Sequence, residues 1–96
     1  MTNGEVWKLC LDDRTAKLKE LKEELEQLEV DYKKVEFEED MYYHLKDNSS
    51  HYREIYTQKQ EEYSKKLEVL DAEKEKLQTD MKILQREIDY INNLLK

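Results

Sequence analysis

The chain has 96 residues, of which 43% are charged and 38% hydrophobic, with one glycine, one cysteine and no proline. Its 17 basic and 24 acidic side chains leave a net charge of −7, a sign that repels nucleic acid and anionic membrane. A chain so rich in Glu, Lys and Leu and so empty of turn formers also excludes an ordinary globular domain in favour of long helix.

The N-terminus, "MTNGEVWKLC", has no basic region followed by an apolar stretch, so nothing there reads as a signal peptide. The expected location is intracellular, cytoplasmic with the nucleus as the other compartment. Asn48-Ser49-Ser50 matches a glycosylation sequon but carries no weight without a secretory signal. No apolar run approaches the roughly 20 residues that span a bilayer, and no membrane insertion is expected. Thr2 followed by Glu5 has the spacing of a capping box and predicts a helix start at the N-terminus. Cys10 stands alone, which suits a reducing compartment; its other reading is a crosslink between two chains.

From there the apolar residues recur in alternating steps of three and four. The first arm gives Trp7, Leu11, Leu18, Leu21, Leu25, Leu28, Tyr32 and Val35. The second gives Tyr56, Tyr63, Leu67, Leu70, Leu77, Met81, Leu84, Ile88, Ile91 and Leu95 in the same phase. With Leu18 at heptad position a, 19 of the 27 a and d positions from Gly4 to Leu95 are apolar or aromatic. A stripe this narrow cannot bury itself on one helix in water, so a second helix must cover it. The segment "LKELKEELEQLEVDYKKV" accordingly resembles coiled coils in general, a likeness that implies no particular activity.

The centre breaks the stripe. Glu39, Lys46, Ser49, Arg53 and Gln60 fall on the seam over about residues 39–60, while Met41, Leu45, Asn48, Tyr52 and Ile55 keep the same spacing one residue out of phase. A register shift through a weakened waist is therefore expected. Two topologies compete. The shared phase of the arms and the lack of Gly or Pro favour a mostly continuous helix in a two-stranded coiled coil, about 130 Å long at 1.5 Å per residue. The poor helix formers Asp47-Asn48-Ser49-Ser50 and the equal arms favour an antiparallel hairpin turning near 47–50, itself open to pairing into a four-helix bundle. In that hairpin Leu45 would face Tyr52, and Met41 would face Ile55. A self-paired homodimer is the simplest assembly of the continuous form. Parallel register stacks Arg14, Lys46 and Arg53 on their own copies; antiparallel register avoids this and offers Lys17–Glu87 and Glu38–Lys66 at the flanks, so orientation stays open.

No phosphate loop, HExxH or CxxC occurs, and no catalytic residue, metal or cofactor is assigned. His44 and His51 lie two turns apart on the outer face, too far to share an ion without a further ligand. The acidic runs "KEELEQLE" and "EFEED" read as solvated faces. Val30 and Phe37 occupy successive outer f positions and, with Met41, Leu45, Tyr52 and Ile55, form an apolar patch where polar residues belong, the mark of a partner-docking site. The whole chain thus reads as an all-α, single coiled-coil segment of a larger protein, with the seam still running at Leu95. Its expected role is a non-enzymatic structural scaffold that dimerises and spaces a cytoskeletal, centrosomal, kinetochore or tethering and adaptor protein. The competing role is a recognition module that docks a partner protein's helix on the central patch.

Overall fold

The computed structural model describes every residue from Met1 to Lys96 and contains two helices and no strand. α1 runs Asn3–Asn48 over 46 residues, and α2 runs Arg53–Leu95 over 43. α1 starts where the capping residues place it: Thr2 Oγ1 accepts the Glu5 amide at 3.2 Å, and the Thr2 carbonyl accepts the Val6 amide at 3.1 Å. The connection, residues 49–52, is held by local hydrogen bonds of its own. Ser49 Oγ accepts the Tyr52 amide at 3.3 Å, and the Tyr52 carbonyl then accepts the Tyr56 amide at 3.0 Å, opening α2.

The mostly continuous helix is therefore not what the chain forms; it takes the hairpin. The missing glycine is no obstacle, because no residue in the chain has a positive φ and the turn needs no left-handed conformation. The energetic reason lies in association. Four poor helix formers weaken α1 by only about 2 kcal/mol, too little to break a helix held on both sides. A dimer, however, loses translational and rotational freedom worth roughly 4–15 kcal/mol at standard state. A chain that covers its stripe with its own second arm avoids that loss.

Two compact units result. In the terminal unit, Met1–Glu26 packs antiparallel on Glu75–Lys96. Here Arg14 Nε meets Glu87 Oε1 at 2.8 Å, and the Trp7 ring stands edge-on to Tyr90 with centroids 6.5 Å apart. The tip unit, Gln27–Lys74, contains the turn and the two helix segments it joins. There the Tyr42 ring lies 5.3 Å from Tyr63 and 6.1 Å from Tyr56.

The core is one stripe wide. Its buried side chains are Leu18, Leu21, Leu28, Ile88 and Ile91, with Ile91 only 2% exposed, and all five lie on the predicted seam. Leu11, Leu25, Tyr32, Val35, Tyr56, Tyr63, Leu67, Leu70, Leu77, Met81 and Leu84 are half-buried along the same line. Trp7 and Leu95, at its two ends, are exposed. Each large side chain fully buried contributes about 1.5–3 kcal/mol, so the stripe accounts for the pairing.

The centre does not change register. Tyr42, Lys46, Tyr56, Gln60 and Tyr63, all on the original phase, are half-buried, whereas Met41, Leu45, Tyr52 and Ile55 are exposed. The tip is closed by tyrosine stacking rather than by Leu45 on Tyr52 and Met41 on Ile55. The polar seam residues find one another: Lys46 Nζ donates to Gln60 Oε1 at 3.5 Å, and Gln60 Nε2 donates to Glu39 Oε1 at 3.4 Å. Folding back thus turns three unfavourable seam positions into one hydrogen-bonded set, which removes any need for the phase to slip.

Candidate interaction surface

Apart from Trp7 and Leu95 at its ends, the seam is covered or half-covered within the chain, and the most exposed apolar side chains lie outside that stripe. Heptad geometry puts position f opposite the seam and c next to f on the outer face. On α1 the f residues Val30 and Phe37 are 62% and 65% exposed, and Met41, one turn on at c, is also exposed. Leu45, Tyr52 and Ile55 are exposed around the turn, so all six residues of the predicted docking patch are solvent-accessible and all lie in the tip unit. Their surroundings are charged: His44 Nε2 lies 3.5 Å from Asp40, and Lys46 Nζ sits 4.5 Å from the centroid of the Tyr43 ring.

Val69, Ile83 and Tyr90 are missing from the sequence-level patch, yet each stands exposed on α2. With Ile55 they occupy position c, and the signal that would have found them is the row Ile55, Glu62, Val69, Lys76, Ile83, one residue per heptad. Beside Val69 the tip unit has a groove of 660 Å³ whose apolar wall is Val35, Val69 and Leu70 and whose rim carries Asp31, Glu62 and Lys66.

The electrostatics around the seam follow from close pairs. Arg14, a charge on the stripe, turns to its edge, where the hydrogen bond to Glu87 raises its guanidinium above its usual range. Glu87 is thereby taken from Lys17, which pairs with Glu20 on its own helix at 3.5 Å. The Tyr63 hydroxyl is raised above the usual phenol range, first by its hydrogen bond to the Glu38 carboxylate and then by burial. Glu38 therefore serves Tyr63 rather than Lys66, whose Nζ lies 4.2 Å from the centroid of the Tyr63 ring. Tyr32 is raised as well, chiefly by the Asp71 charge. No buried side-chain nitrogen or oxygen lacks a partner. No cluster of three or more His, Cys, Asp or Glu is arranged to hold a metal, and no helix is long and apolar enough to cross a membrane.

Fold and surface together define a class: an antiparallel coiled-coil hairpin with apolar side chains left on its outside. Comparison with protein-family models, curated proteins and solved structures finds no match.

Proposed function

We propose that this chain is a non-enzymatic scaffold and protein-interaction segment whose hairpin presents the α1 patch to an amphipathic helix of a partner protein. The observation that carries this reading is the exposure of Phe37, Val30 and Met41 on a face that helical periodicity assigns to solvent, beside a seam already satisfied within the chain. Large apolar anchors held on a helix bind a partner's apolar ridge without the cost of ordering their own backbone. The reading as a long dimeric spacer has less support, because the stripe that would join two rods is used by the chain's own arms.

The test pairs two substitutions in the full chain. Phe37→Asp should leave helicity and thermal midpoint unchanged while removing partners recovered by proximity labelling in cells. Leu21→Asp should destroy both the fold and the partners. A partner set that survives Phe37→Asp and Met41→Glu together contradicts the proposal.

A further inference from the structure

We infer that the outer face of α2 is a self-association surface that takes a second copy of this chain, antiparallel, about a two-fold axis at Val69. The inference rests on the scaffold reading only in that scaffolds assemble, and its row lies on α2, sharing Ile55 alone with the docking patch.

Position c of α2 reads Ile55, Glu62, Val69, Lys76, Ile83. Reversed about Val69, the row is complementary to itself. Val69 meets Val69 of the second copy, Glu62 meets Lys76, and Ile55 meets Ile83, each unlike pair occurring twice by symmetry. The three apolar members are 58%, 54% and 51% exposed, and Glu62 and Lys76 are exposed too. Two antiparallel helices related by a two-fold axis bring like heptad positions to the same side. At position g, on one side of the row, this register sets Lys66 against Glu73 and Lys59 against Asp80, again twice each. At position f, on the other side, Lys65 falls near Ala72 and Gln58 near Thr79, with no like charges opposed.

The pattern also rejects the neighbouring registers. A slip of one heptad sets Val69 against Glu62 or Lys76, leaving an apolar side chain facing a charge. A slip of two heptads stacks Glu62 on Glu62 or Lys76 on Lys76. Selectivity of this kind, built from both attraction and repulsion, is how paired helices fix orientation. The groove lined by Val35, Val69 and Leu70 gives the incoming helix an apolar trough beside the row.

The experiment is sedimentation equilibrium of the full chain from low micromolar to millimolar concentration, with circular dichroism as the check on fold. The wild-type chain should form a dimer whose dissociation weakens as salt is lowered. Val69→Glu, which opposes two like charges at the axis, should give a helical monomer. Glu62→Lys and Lys76→Glu should each weaken the dimer by tenfold or more, and the Glu62→Lys/Lys76→Glu double variant should restore it by exchanging the charges. A wild-type chain monomeric at every concentration overturns the inference. A dimer indifferent to Val69→Glu, or single variants not rescued by the double, overturns it as well. None of these results bears on the α1 patch, whose own test reads partner loss on Phe37→Asp.

Discussion

Position on the heptad decides what each residue contributes. Ile91, almost wholly enclosed, is expected to cost about 2–4 kcal/mol when cut to alanine, read as a lower midpoint in urea. Phe37, larger but 65% exposed, should change stability by no more than about 0.5 kcal/mol on Phe37→Ala. A result with the two reversed would place the seam on the wrong face. The tyrosines add a dependence on pH. Tyr63 and Tyr32 both have folded-state values raised above 10.0, so their neutral forms are favoured by folding. Their contribution is complete below the unfolded value and is lost as pH rises through the folded one. Stability should therefore fall on the alkaline side of pH 10, and the fall should flatten in Tyr63→Phe and Tyr32→Phe, where the phenol with the raised value is removed. Urea unfolding followed at rising pH, beside the phenolate absorbance of each variant, checks this.

At the scale of the element, the break between α1 and α2 is a balance of small quantities. Ser49 contributes one side-chain hydrogen bond to the connection, accepted from the Tyr52 amide, and its loss in Ser49→Ala should cost about 1 kcal/mol without changing the topology. Replacing Ser49, Ser50, His51 and Tyr52 together with alanine gives residues 49–52 the strongest helix former. We expect that variant to run α1 into α2 and cover its stripe with a second chain in an exchanged dimer, detected in a Val69→Glu background as a doubled mass with the Tyr42–Tyr63 proximity now formed between chains. The helices and their stripe were legible in the sequence because Leu18, Leu21, Leu28, Ile88 and Ile91 repeat at the helical period whichever helix covers them. The turn was not, for two reasons. No Gly or Pro marks it, since its backbone never enters the left-handed region. The polar seam residues Glu39, Lys46 and Gln60, which read as weakness along a rod, become partners only once the chain has reversed. The outer patch from Val30 to Ile55 was visible as apolar side chains at f, c and g. The α2 row was overlooked because its apolar members alternate with Glu62 and Lys76, and a charge between two apolar residues looks like a solvated face until the row is read backwards.

At the scale of the whole molecule, the fold depends on each chain covering its own stripe. The terminal unit joins two segments far apart in sequence but belonging to one chain, as the Arg14–Glu87 pair shows, and the tip unit closes a continuous stretch on itself through Lys46 and Gln60. Intrachain pairing is independent of concentration, whereas an antiparallel dimer in the same layers would melt at lower temperature on dilution. The most direct measurement is an electron-spin distance between labels on Lys22→Cys and Gln78→Cys, in a Cys10→Ser background, at positions bordering one groove of the terminal unit. The doubly labelled chain is unfolded and refolded with a large excess of unlabelled chain. A short distance that persists undiminished, the result expected, shows the chain closed on itself. A short distance that vanishes on dilution shows that the arms belong to different chains, and the hairpin is then wrong.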